Sequence, residues 1–388
     1  MKRRLILFLL IMAGFTVSCV SPKDFVHTLP CEVELNLSNN KRLDSLVDAL
    51  SRSGAPGAVL ATSGPEGESF YSSGVASIES GTKMSACHLQ YLQSISKTYL
   101  AVVIMLLKED GELELDAPVN RYLPDVILEK LPQSDVVTVR MLLNHTSGYP
   151  EYNYSPGYVS YLLQHPEYTF QPVEYLDYIA GKPLDFDPGT RYAYRNTNYV
   201  ILSLIADHLT GDHGVYMQRR IFESLHLTNT FYRNTNGYLD NPLLVESYWD
   251  RFSNGTIENV TALQRANVAG MAGDDGLIAT PMDTVTFLKS LWDGRLLSDE
   301  ALTEMTSWVK DESGNPRYGL GLATRQIQGF QAIGHSGGGL GAGCELYYFP
   351  EKELYMFIAI NLGTVTYSPL HDQIEVIREE IFSTLLTD

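Results

Sequence analysis

The chain has 388 residues, of which 44% are hydrophobic and 19% charged, and its formal net charge at pH 7 is −18. That length and apolar content suit one large domain or two ordinary ones with a substantial core, and argue against a disordered chain. The acidic balance argues against nucleic acid as a partner, because phosphate binding needs clustered Lys and Arg.

The first eighteen residues stand apart. Lys2, Arg3 and Arg4 form a basic start, Leu5 to Phe15 is an apolar run too short to span a bilayer comfortably, and small residues lead to Val17-Ser18-Cys19. Residues 1–18 therefore read as an export signal outside the fold. Cys19 after a small residue resembles the bacterial lipoprotein cleavage box. That resemblance implies a diacylglycerol on the Cys19 sulfur and an exported lipoprotein, membrane-anchored, periplasmic or at the cell surface. The alternative is an ordinary cleavage site with an unmodified cysteine. No later segment reads as transmembrane. Residues 19–40 are polar and without sustained period, a tether. Cys31, Cys87 and Cys344 allow one disulfide at most, and their spacing fits no zinc motif.

From residue 41 the pattern is globular. Leu43, Leu46, Val47 and Leu50 recur at helical spacing. Gly57–Thr62 and Ser69–Val75 read as strands. Tyr99–Leu107 is an almost continuous apolar helix core stopped at Asp110-Gly111. Val139–Leu143 is apolar and ends at His145-Thr146-Ser147-Gly148. Tyr199–Leu209 and Thr284–Leu291 are further helices, and Asp275-Gly276 and Thr280-Pro281 read as turn chemistry. The last stretch turns to strands at Tyr318–Ala323, Gln331–Gly334, Glu345–Phe349 and Leu354–Asn361. A helix closes the chain from about His371 to Leu385. Strands near both ends with helices between suit an antiparallel sheet built from both chain ends, with a mainly helical subdomain inserted.

Three clusters carry chemistry. Ser94-Ile95-Ser96-Lys97 precedes the apolar helix, and a helix starting near Ser94 puts Ser94 and Lys97 on one face. A hydroxyl needs a nearby base, and a lysine serves only if burial and the helix N-terminus lower its pKa from about 10.4. Tyr194-Arg195-Asn196 offers a phenol for proton relay and an amide that donates and accepts, although a turn and helix cap is the plainer reading of that triplet alone. Gly334-His335-Ser336-Gly337-Gly338 also fits G-x-S-x-G, the nucleophile elbow, which would make Ser336 the nucleophile. An elbow needs a helix after it, and the glycines from Gly337 to Gly343 make a poor one. His145 reads as structural in preference to catalytic. The tyrosines from Tyr149 to Tyr178 read as packing residues in preference to a cleft lining.

In the order Ser-x-x-Lys, Tyr-x-Asn, His-Ser-Gly, these motifs resemble those of the class C serine β-lactamases, DD-carboxypeptidases and the esterases that share their fold. The likeness spans about residues 41–385, helped by Asp110–Val119, Val139–Gly148, Asp187-Pro188-Gly189-Thr190 and Tyr318–Leu322. It implies an α/β (α+β) β-lactamase-like fold, with a sheet subdomain at about 41–90 and 310–388 and a helical subdomain at about 91–309. It implies that Ser94 is the acylated nucleophile, Lys97 its base or proton shuttle, and Tyr194 a proton-transfer partner. Asn196, His335, Ser336 and Gly337 would bind substrate, and the backbone N–H groups of Ser94 and Gly338 would form the oxyanion hole. No metal or organic cofactor is implied. His335 stands where β-lactamases usually carry lysine, so a fixed cation is replaced by a group mostly neutral at pH 7. The expected substrate is a small molecule or peptide, first a D-amino-acid peptide of the cell wall, then a carboxylester, then a β-lactam. A sensor that is acylated without turnover is the reading from a different class.

Overall fold

The structure, a computed structural model, describes residues 40–233 and 237–387. The expected export signal, Cys19, Cys31 and the tether up to residue 39 lie outside the described residues. Asn40 caps the first helix, Lys41–Arg52, by accepting the N–H groups of Arg42 and Leu43 at 3.0 and 3.2 Å, which satisfies two of the donors every helix start leaves open.

Nine strands form one antiparallel sheet. Their spatial order is Thr82–Lys83, Gly67–Ser77, Gly57–Gly64, Leu354–Ile360, Gly343–Phe349, Phe330–Gly338, Ala323–Ile327, Pro316–Tyr318 and Val309–Lys310. Strands from the two ends of the domain meet where Ala58 lies opposite Ile360 and Thr62 opposite Met356. Strand alternation divides the apolar residues between two cores. Val59, Ala61, Phe357 and Ala359 face the helices of the middle of the chain. Ala58, Leu60, Met356 and Ile358 face Lys41–Arg52 and the last helix, Pro369–Thr387, which pack on each other.

On the first face the helix Ser96–Glu109 is buried from Ser96 to Leu107, as a helix apolar on all sides has to be. It stops at Asp110, followed by Gly111 at φ +79°. Asn196–Thr210 and Pro281–Trp292 flank the same core. Thr280 is the N-cap of the latter and Pro281 its first residue, so the expected turn there is a helix start.

The expected strand Tyr318–Ala323 is instead a hairpin: Tyr318 pairs with Ala323 across Gly319–Leu322. The glycines explain it. Gly321 has φ +77°, and a Cβ there would lie 2.1 Å from Ala101 Cβ, so the turn beds directly on the buried helix. Thr98 Oγ1 fastens it by donating to Gly321 O at 2.7 Å. Cys344 is a free, buried thiol and Cys87 is disulfide-bonded. Among the described residues no helix is long and apolar enough to cross a membrane.

Candidate active site

The α-helix starts two residues later than the motif suggests. Gln93–Ile95 form a 3₁₀ turn and the α-helix begins at Ser96. The tighter turn still places Ser94 and Lys97 together: Lys97 Nζ donates to Ser94 Oγ at 3.0 Å. Gln93, just before the serine, has φ +49°, a region costly for a side chain with a Cβ. Lys97 is fully buried and also donates to the Asp274 carbonyl at 2.7 Å. Burial pushes its pKa below the ordinary lysine value, while the carboxylates of Asp274, Asp275 and Glu151 pull it back up. A lysine made easier to deprotonate is one able to accept a serine proton.

Tyr194 is brought to the same point. Ser94 nearby acts to lower its pKa, yet burial dominates and raises it far above that of a free tyrosine. The group therefore remains a neutral phenol, suited to passing a proton rather than acting as a phenolate base. Its ring centre lies 5.2 Å from Lys97 Nζ. Asn196 opens the helix Asn196–Thr210, and its backbone N–H donates to Glu151 Oε2 at 2.5 Å. His145 is buried in the left-handed region at φ +61°. Its Nδ1 accepts the Arg195 N–H at 3.1 Å, and its ring lies 4.4 Å from that of Tyr194. Burial, then the charge of Lys97, holds it well below the usual histidine pKa. His145 thus supports the Tyr194 segment as a neutral ring. Of the expected packing tyrosines, Tyr149, Tyr152, Tyr158 and Tyr175 are buried, with Tyr152 4.7 Å from Tyr175 ring to ring.

The strand Phe330–Gly338 splits its motif between the two sheet faces. His335 pairs with Leu346 and Gly337 with Cys344, both of the site-side core, whereas Ser336 pairs with Glu345. His335 is buried with both ring nitrogens engaged. Nδ1 lies 2.6 Å from Ser336 O, so it carries the proton, and Nε2 accepts from Tyr318 Oη at 2.8 Å. Burial first, then Lys97, lowers its pKa to about 3, so it is neutral at pH 7. Gly337 packs on the serine turn: a Cβ there would lie 2.7 Å from both Leu92 O and Gln93 Cβ. This close approach sets the Gly337-Gly338 backbone beside Ser94. Ser336 is not brought to the site. It lines a cavity of about 370 Å³ on the far face with Glu345 and Arg378. The period of two explains the difference: next to an inward His335, residue 336 faces away.

Three residues were not anticipated. Glu151 is buried and pushed to about 7 by desolvation, against the N–H groups of Asn196 and Asn153 that it accepts. Asp275 is pushed to about 7 for the same reason and accepts its neighbour Gly276 N–H at 2.7 Å. Asp274 is buried, is raised by desolvation, and accepts from Tyr152 Oη at 2.7 Å. The available signal was two acids inside an otherwise apolar and glycine run from Met271 to Ala279.

A serine hydrogen-bonded to a buried lysine, with a tyrosine ring beside that lysine and an antiparallel sheet strand against the serine turn, is an arrangement that suits a serine hydrolase. The chain belongs to the Beta-lactamase family, whose profile matches residues 43–374. It is 26% identical over 319 residues to penicillin-binding protein 4* of Bacillus subtilis (strain 168), covering 78% of this chain and 67% of that protein. Protein flp of Staphylococcus aureus (strain NCTC 8325 / PS 47) is 25% identical over 206 residues, and the chain spans 40% of its length. Among solved structures, a D-stereospecific amidohydrolase from Streptomyces sp. superposes with a TM-score of 0.74 at 25% identity, over 86% of this chain and 97% of that one.

Proposed function

We propose that the chain cleaves an amide bond at the carbonyl of a D-amino acid through an acyl-enzyme on Ser94. The observation that carries this is the 3.0 Å contact between Ser94 Oγ and the fully buried Lys97 Nζ. Lys97 in its neutral form takes the Ser94 proton as Oγ attacks the carbonyl carbon. The N–H groups of Ser94 and Gly338 receive the oxyanion, and one such donor is typically worth about 100- to 1,000-fold in turnover. The C–N bond breaks as the leaving nitrogen gains a proton through Tyr194. Water then adds to the ester, the acid leaves, and Ser94 regains its proton.

The D-amino-acid part is supported by the likeness to the D-stereospecific amidohydrolase. The leaving group follows from His335. A carboxypeptidase gains from a cation that meets the terminal carboxylate of its substrate, and a neutral His335 with both nitrogens occupied supplies none. An uncharged amide is favoured over a peptide with a free C-terminus. The same neutrality suits an ester, the second reading.

The test is hydrolysis of D-alanine amide, D-alanyl-D-alanine and p-nitrophenyl butyrate by the native chain and by Ser94→Ala, with intact mass followed after benzylpenicillin. Cleavage of the amide above the dipeptide, lost in Ser94→Ala, is expected. Cleavage of the ester alone makes the protein an esterase. A lasting penicillin adduct with no turnover makes it a sensor. We also propose that Cys19 carries a lipid that anchors the chain after removal of residues 1–18, supported by the basic and apolar run before it. Cys19→Ser should then move the protein from the membrane to the soluble fraction, and persistent membrane attachment overturns this.

A further inference from the structure

The glycines that follow His335 and Ser336 make room for different neighbours. A Cβ on Gly338 or on Gly343 would lie 2.6 Å from a Thr364 side-chain atom, and one on Gly341 would lie 2.2 Å from Ser247 Cβ. Gly337 and, two residues on, Gly339 both meet Gln93. A Cβ on Gly337 would lie 2.7 Å from Gln93 Cβ, and one on Gly339 would lie 2.0 Å from Gln93 Oε1 and 2.8 Å from its Nε2. The Gln93 side chain therefore runs along the strand past Gly338, with its Cβ at Gly337 and its amide at Gly339. The residue before it is held independently: Leu92 N–H donates to Leu277 O at 3.0 Å, and Leu92 O accepts from Cys344 Sγ at 3.3 Å.

Stability gives no reason for a glutamine at this point. Gln93 is 2% exposed, so its side chain is taken out of water. Its φ of +49° is one that a residue with a Cβ adopts at a cost. Its Nε2 is buried with no hydrogen-bond partner, which is a second cost. Glycine would avoid both, since it enters the left-handed region freely and carries no amide. A residue that costs stability twice, directly before the nucleophile, points to a role in the geometry of the site.

We infer that Gln93 is a positioning residue: its side chain is the spacer that sets the gap between Ser94 and the strand at Gly338, and with it the separation of the two N–H groups that receive the oxyanion. It acts by contact, since Nε2 makes no hydrogen bond. The inference rests on the acyl-enzyme reading above and names the residue that fixes its geometry. A misplacement on the order of 1 Å at such a site costs about a hundredfold in rate.

An alkyl fluorophosphonate tests this without the natural substrate. Ser94 Oγ bonds to phosphorus, fluoride leaves, Lys97 takes the hydroxyl proton, and the phosphoryl oxygen occupies the place of the oxyanion. Adduct formation on the full chain is timed by intact mass, with Ser94→Ala as the blank, and the denaturant midpoint is read by circular dichroism. Gln93→Gly loses the spacer together with the strain, so labelling should slow by about 10- to 100-fold while the midpoint stays at or above that of the native chain. Gln93→Met, a side chain of similar length, keeps the spacer without the amide and should label within about threefold of native. Labelling of Gln93→Gly at the native rate overturns the inference, as does Gln93→Met slowed as much as Gln93→Gly. A lowered midpoint with the rate per folded molecule unchanged also overturns it, because that is the pattern of a residue that only supports the fold. A native chain that takes no adduct at Ser94 breaks the acyl-enzyme reading and the inference with it, whereas equal labelling of native and Gln93→Gly breaks the inference alone.

Discussion

Two buried glutamates on opposite faces of the sheet show what the fold does with charge. Glu345, on the terminal-helix face, meets Arg325 at 3.2 Å and Arg378 at 3.1 Å. Glu151, on the nucleophile side, is opposed only by two backbone N–H groups and by Lys97. Burial raises both pKa values, but fixed cations compensate the first, whereas the second depends on a lysine whose own proton has to move. The face that only holds the fold together is neutralised by arginine, which stays charged. The face that carries chemistry keeps its acids and its base close to the point of proton exchange.

The largest effect that sharpens this comparison is at the base itself. Lys97→Met keeps the apolar stem and removes the amine, and turnover should fall by about 10³- to 10⁴-fold, in the range of losing an essential partner of a serine nucleophile. The acyl-enzyme mass should no longer accumulate with benzylpenicillin or an activated ester. In the native chain, activity should rise with pH through a value below that of free lysine, because the neutral amine is the working form and burial lowers its pKa. A profile flat down to pH 5 would remove Lys97 from the role of base.

Next in size is the acid opposite it. Glu151 has its folded pKa raised from 4.5 to about 7. Between those values the folded state holds a proton that the unfolded state has lost, so stability falls as pH rises through that window and stays lowered above it. The shift corresponds to on the order of 3 kcal/mol. Glu151→Gln should flatten the decline in denaturant midpoint between pH 5 and pH 8, and an unchanged decline assigns it to other groups, Asp275 first. The matching change on the other face is Arg378→Met. It leaves Glu345 with Arg325 alone and should lower stability by about 2 kcal/mol, less than for a fully buried pair because both arginines reach solvent. Turnover of the remaining folded protein should be unaffected.

How much of this was legible in the sequence depended on whether the signal was local. The Ser94–Lys97 pair and the apolar helix behind it follow from spacing within one turn, and the two-ended sheet from the order of strands. The hairpin at Gly319–Leu322 was hidden because Gly321 is set by a contact with Ala101, more than two hundred residues earlier. Asp274 and Asp275 were hidden for the same reason. Asp-Gly is ordinary turn chemistry until the fold lays that turn against Lys97. His335 could be read as mostly neutral from its ordinary pKa, but not that Tyr318 and its own strand occupy both nitrogens.

The smallest expected effect tests the division of the motif between the faces. Ser336 matches a position that resemblance gives to substrate binding and that G-x-S-x-G gives to a nucleophile. Here it lies on the far face, paired with Glu345 and beside Arg378. Ser336→Ala removes one hydroxyl from a cavity wall that solvent reaches, so stability should change by less than about 1 kcal/mol. Both kcat and KM for an amide substrate should stay within about threefold of native, because no atom removed lies on the nucleophile side. A loss of a hundredfold or more in kcat with the fold intact would mean that the strand turns Ser336 toward the substrate during catalysis. In that case the two faces would not divide structure from chemistry, since the residue between His335 and Gly337 would serve both.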